Sequence, residues 1–175
     1  RLRIVKRGGF LLMIDGGRGS RPAETVSLTA PTVVIAPRAP DVVRFAAAEM
    51  TNFLSQVLGR TVPLATALPA AGEAIVLGTN GWSRAAGLAP EALARDGFEI
   101  LAEAGASPRV YIAGCDDPSV KVEKALVSGI WRQYYERGTY LGMIAFLEDC
   151  AGARFYFPGE LGTILPRRAA LSAAG

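Results

Sequence analysis

Few residues in this chain could do chemistry, and they are scattered. Histidine is absent. That removes Ser-His and Cys-His nucleophile pairs and every His-based metal site within the chain. Cys115 and Cys150 are the two cysteines. Each lies beside an apolar segment and reads as a small buried thiol, with a disulfide as the alternative. Two cysteines alone cannot make a structural zinc site. Acid–base catalysis by carboxylates needs two of them held as a positioned pair. Here Glu99 and Glu103 fall on one strand-like run, Glu148 and Asp149 fall at a helix end, and none forms an evident pair. Asp116 and Asp117 form an acid pair in the run DDPS, which reads as a turn because no further ligands cluster with them. Glu49 reads as part of a solvated helix face.

Two glycine-containing loops and one aromatic cluster complete the candidates. Asp15 to Pro22 (DGGRGSRP) lacks the third glycine of a dinucleotide loop and the Lys-Ser/Thr pair of a phosphate loop, and Pro22 leaves no helix start behind it. Gly78-Thr79-Asn80-Gly81 could serve a small ligand if it ends a parallel strand against a helix N-terminus. Trp131, Tyr134 and Tyr135 could stack on sugar rings, although packing is the default role of such rings. Coplanar, solvent-facing rings would support a stacking platform.

Composition bounds the answer. The 175 residues are 50% hydrophobic and 20% charged, enough for one domain with a sizeable core. The net charge of +3 is small and scattered, which argues against nucleic acid. Arg1, Arg3, Lys6 and Arg7 read as a solvated terminus. No apolar run reaches the roughly 20 residues of a membrane span. Phe10 to Ile14 follows basic residues but meets Asp15-Gly16-Gly17, so a strand is expected there, with no signal peptide visible. The chain begins at Arg1 and ends in AALSAAG, and is expected to be a piece of something longer.

The elements that must position these residues are legible in part. Leu2–Lys6 and Phe10–Ile14 are short strands around Gly8-Gly9. Thr32–Ala36 is a β-branched strand. Pro40–Leu58 is the clearest helix, with Val43, Ala46, Ala47, Met50, Phe53, Leu54 and Val57 on one face and Gly59 as its stop. Val62–Ala65 is a short strand and Ala74–Leu77 a buried central one. Trp82–Gly87 and Pro90–Arg95 are short helical segments. Phe98–Glu103 and Val110–Ala113 suggest an antiparallel hairpin. Ser119 is a candidate cap for a helix running to about Tyr135. Thr139 is a candidate cap for a helix reaching Ala151, stopped by Gly152. Ala153–Phe157 is an aromatic strand with Arg154 and Tyr156 on one face. Pro158-Gly159 is a turn. Arg137 and Arg154 are possible partners for Glu148 and Asp149.

The order of these elements carries a resemblance. VRFAAAEMTNFLSQVLGRTVPL, then AIVLG, DGFEILAE, RVYIAG and finally RGTYLGMIAFLEDCAGARFYFPGELGTILP are similar to the small N-terminal domain of α-glucuronidase-like proteins. That domain is related to the second domain of β-N-acetylhexosaminidases. The similarity spans Val26 to Pro166 and is interrupted by an insertion at 116–136. It implies a non-catalytic domain preceding a (β/α)8 barrel that carries the acid and base, so no catalytic residue is transferred here. It also implies a secreted or periplasmic setting.

Together these readings predict an α+β two-layer sandwich, a mixed and mostly antiparallel sheet with helices packed on one face. The expected domain layout is an extension at 1–25, the accessory domain at 26–166 and a linker at 167–175. The expected function is packing against a following catalytic barrel of the same polypeptide and shaping its substrate rim. An oligosaccharide or polysaccharide is a further expected partner, and no cofactor, metal, nucleic acid or membrane span is expected. Arg154, Tyr156, Glu160, Trp131, Tyr134 and Tyr135 are the rim or interface candidates. The alternatives are a stand-alone carbohydrate-binding module and a small-ligand α/β domain.

Overall fold

The computed structural model describes residues 2–7, 10–13, 26–128 and 134–173. The glycine loop at 15–22 and Trp131 lie outside them. Strands β1 (Leu2–Arg7), β2 (Phe10–Met13), β4 (Thr32–Ile35), β5 (Leu64–Ala65), β6 (Ala74–Leu77), β7 (Phe98–Glu103) and β8 (Arg109–Gly114) form one seven-stranded sheet. Its order is β2-β1-β7-β8-β6-β4-β5. The half containing β5, β4, β6 and β8 is parallel. The half containing β8, β7, β1 and β2 is antiparallel. The mixed sheet and its helical layer make the expected α+β sandwich. The parallel pairs follow from the helix that must cross between β4 and its neighbours.

That helix is α1 (Asp41–Leu58). It starts from an extended Pro40 and ends at Gly59, whose φ of 69° is left-handed, as the sequence predicts. Val43, Ala46, Ala47, Met50, Leu54 and Val57 are buried on the sheet. Helix α4 (Gly138–Phe146) continues as a π turn over Leu147–Ala151 and stops at left-handed Gly152. It packs beside α1 on the same face, burying Met143, Phe146 and Leu147 against Phe98, Ile100 and Ile112. Alternation along β7 sends Leu101 to the opposite face, where it meets Val34, Val76 and Tyr111 under Trp82 and Leu88. Trp82 belongs to the short helix α2 (Gly81–Ala85).

Two small antiparallel sheets finish the fold. One pairs β9 (Arg154–Phe155) with β10 (Thr163–Ile164). The other pairs β3 (Val26–Leu28) with β11 (Leu171–Ala173), and Leu28 and Leu171 are both 1% exposed. On the way to β11 the chain lays Arg167 against Gly59 and Arg168 against Gly152. Each guanidinium thus meets the C-terminal, carbonyl-rich end of a helix, where positive charge is favoured.

Two capping expectations need correction. Ser119 does not start a helix: its hydroxyl donates to Asp117 Oδ1 (2.7 Å). Helix α3 is only Val122–Val127, and its first N–H donates to Asp41 Oδ2 of α1 (2.9 Å). Thr139 lies inside α4 rather than at its cap. Its N–H and hydroxyl both donate to Asp116 (3.0 and 2.5 Å), so Asp116 supplies the acceptor a helix N-terminus needs.

Candidate functional site

The interface candidates of the final strand meet at a hairpin that stands off the sandwich. Phe155 fastens its base, its ring meeting Phe53 of α1 edge-on at 5.2 Å. Beyond it the strands are two residues long, and the tip runs through Pro158-Gly159 and a 3-10 turn at Glu160–Gly162. Backbone bonds hold the tip: Tyr156 N to Gly162 O at 2.9 Å and Gly162 N to Gly159 O at 3.2 Å. Gly159 is left-handed at φ 101°. A Cβ at Gly162 would lie 2.1 Å from Phe157 O, so only glycine closes this loop.

Arg154, Tyr156 and Glu160 are all exposed here. Arg154 does not pair with the Glu148 carboxylate. Its Nη1 donates to the carbonyls of Glu148 (3.0 Å) and Ala153 (2.6 Å). The guanidinium thus ties a carbonyl near the start of the π turn to one just beyond its end. The more telling neighbours are apolar. Tyr156 is 69% exposed, Phe157 57%, Leu161 93% and Ile164 53%. Leu161 and the two residues that flank it in the tip, Phe157 and Ile164, were not among the sequence-derived candidates. The signal was present in FYFPGELGTI: apolar residues on both sides of a tight turn leave no sheet long enough to bury them.

The aromatic candidates do not form a platform within the described residues. Tyr134 is exposed, whereas Tyr135 is 9% exposed and packs with Val42, Val122 and Ala125. Arg137 lies over the Tyr135 ring, 5.5 Å from its centre.

The Gly78-Thr79-Asn80-Gly81 loop does follow a parallel strand, β6, and does start a helix. The donors at the start of that helix are already used. Asn80 Oδ1 accepts from Trp82 N (2.9 Å) and Ser83 N (3.1 Å), and Ser83 Oγ accepts from Asn80 N (2.9 Å). This reciprocal cap leaves a ligand little to bind.

The acids and thiols have structural work. Glu99 Oε2 accepts from Ala89 N at 2.6 Å. Asp116 is pushed up to about 6 by burial, with the nearby Glu136 and Asp96 adding to the shift and the bonds from Thr139 opposing it. Both cysteines are free thiols. Burial pushes Cys150 up to about 12, with Asp149 adding to it, so this thiol is not a nucleophile near neutral pH. Cys115 is raised as well, by burial and then by Glu136 and Asp116, and its Sγ lies 3.0 Å from Pro90 O. Among the described residues no three Cys, Asp or Glu side chains group as metal ligands. No helix among them is long and apolar enough to cross a membrane.

No family model and no curated protein sequence matches the chain. One solved structure to which it is similar is described as a novel family GH115 4-O-methyl-α-glucuronidase, BtGH115A, with specificity for decorated arabinogalactans. The two are 16% identical with a TM-score of 0.44, over 86% of this chain and 18% of that one. The chain therefore spans less than a fifth of the length of that protein.

Proposed function

We propose that the chain is a non-catalytic accessory domain of a glycoside hydrolase-like protein, and that it docks against a following catalytic domain through the β9–β10 hairpin. The observation that carries this reading is the tip itself. Tyr156, Phe157, Leu161 and Ile164 are more than half exposed on one short hairpin. An apolar group of this kind on a folded surface supports a contact with another protein surface. The hairpin lies in RGTYLGMIAFLEDCAGARFYFPGELGTILP, the stretch most similar to the closing segment of α-glucuronidase-like N-terminal domains. Arg154 and Glu160 would form the polar rim of the contact. The accessory role also accounts for acids spent on caps and internal bonds rather than held as a catalytic pair.

The test compares amide hydrogen exchange in this chain alone and in the polypeptide that contains it. Amides 156–164 are expected to exchange markedly more slowly in the longer protein, and Leu161→Glu is expected to remove that protection. Equal exchange of this segment in both contexts overturns the docking reading. Hydrolysis of aryl glycosides by the 175-residue chain itself would overturn the non-catalytic assignment.

A further inference from the structure

A second surface, distant in sequence from the hairpin tip, has the features of a ligand site. The N-terminal half of α1, helix α3 and the start of α4 enclose a groove of about 110 Å³. Its walls are Phe45, Tyr135, Tyr140, Arg137 and Leu126, with Val42 and Val122 between them. The Phe45 and Tyr140 rings stand 5.7 Å apart at 32°, forming one aromatic wall. Leu126, 51% exposed, is an apolar lip, and Val127 beside it is 85% exposed.

Among the described residues, Arg137 is the one charged residue lining the groove. Its position is fixed at the backbone, where its N–H donates to Asp96 Oδ1 at 3.0 Å. Its guanidinium lies on the Tyr135 ring and makes no hydrogen bond or ion pair with any other described residue. Burial and then Glu49 raise the Tyr140 hydroxyl, and Arg137 opposes them, so Glu49 is the acid that faces this wall. Asp41 accepts from Val122 N, and neither Glu49 nor Glu136 forms an ion pair with Arg137. A planar, half-buried guanidinium with open donors selects a carboxylate, which it can hold with two parallel bonds. The adjacent aromatic and aliphatic walls select a flat body attached to that carboxylate.

We propose that this groove binds a small carboxylate carried on a ring, with Arg137 pairing the charge and Phe45 and Tyr140 covering the ring. The site uses none of the hairpin residues, so it stands or falls separately from the docking reading.

The experiment titrates the 175-residue chain with benzoate, benzamide and acetate, followed by amide and side-chain chemical shifts. Benzoate is expected to bind in the roughly millimolar range of so small a ligand. It should shift Arg137, Tyr140 and Leu126. Benzamide has the ring without the charge, and acetate the charge without the ring. Each is expected to bind about tenfold more weakly or worse, the loss of a charge-assisted bond or of ring contacts. Arg137→Gln should abolish benzoate binding. Because that change also removes the contact with Tyr135, Leu126→Glu is the second variant. It places a carboxylate at an exposed lip, and should abolish binding with an unchanged melting temperature. Equal affinity for benzoate and benzamide, equal affinity for benzoate and acetate, full binding by either variant, or no groove shift with benzoate overturns the proposal.

Discussion

Asp116 is the residue on which the start of α4 depends. It receives two bonds from Thr139, and Thr139 Oγ1 in turn accepts from Gly114 N at 3.1 Å. Around it the backbones of three segments nearly touch. A Cβ on Gly138 would lie 2.3 Å from Gly97 O, and one on Gly114 would lie 2.3 Å from the Gly138 carbonyl carbon. The sequence RGT is thus a joint: its glycine permits the approach and its threonine bonds the end of β8. The pH dependence follows from burial. With Asp116 near 6 when folded and near 3.8 when unfolded, the folded state holds the extra proton between those values. Stability from this group is therefore full below about pH 4 and is lost as pH rises through about 6. Asp116→Asn keeps an acceptor for Thr139 N and does not titrate. Chemical denaturation from pH 4 to pH 7 is expected to show the wild type losing about 1–3 kcal/mol relative to this variant. A difference that stays flat across that range would show that Asp116 ionises normally.

Among the elements, α3 shows where sequence reasoning stops. Pattern alone suggested a helix from Ser119 to about Tyr135, because the apolar residues Val122, Ala125, Leu126, Ile130 and Trp131 recur at helical spacing. The helix observed ends at Val127. Its start is set by Asp41, 81 residues earlier in the chain. No local motif can signal a cap supplied from that distance, and the same holds for Asp116 acting on α4. By contrast, α1, β6 and the β7–β8 hairpin were legible because their signals are local: a three-and-four stripe with a glycine stop, a compact apolar run, and two alternating runs around a turn. The groove was not legible, since Phe45, Tyr135, Arg137 and Tyr140 meet only when α1, α3 and α4 are packed. Asp41→Ala tests the long-range cap. It should cost about 0.5–2 kcal/mol, the usual cost of losing a helix cap. Amide exchange should rise at Val122–Val127 more than at Ala74–Leu77. Uniform acceleration of both would assign Asp41 to α1 alone.

At the scale of the whole molecule, a late strand closes onto an early one. Strand β11 lies against β3, joining residues 171–173 to residues 26–28. Nothing in Leu171-Ser172-Ala173 signals a strand, because three residues carry almost no pattern. What makes it one is the partner: Leu171 and Ala173 drop into the same core as Leu28, Met143, Phe146 and Leu147. That core also contains residues of α1, β4, β6, β7 and β8, so both helices and both halves of the sheet share it. Such a core unfolds as one unit, since no set of contacts can be lost without exposing the others. Leu171→Ala leaves the strand pairing in place and removes a fully buried side chain. It should lower stability by about 2–5 kcal/mol. The decisive observation is the form of the urea transition by circular dichroism and by Trp fluorescence. A single transition, moved to lower urea and coincident for both probes, is expected if the closing strand belongs to the common core. Two separated transitions would mean that the β3–β11 sheet and the end of α4 unfold on their own, and the fold would then be a sandwich with a detachable clasp.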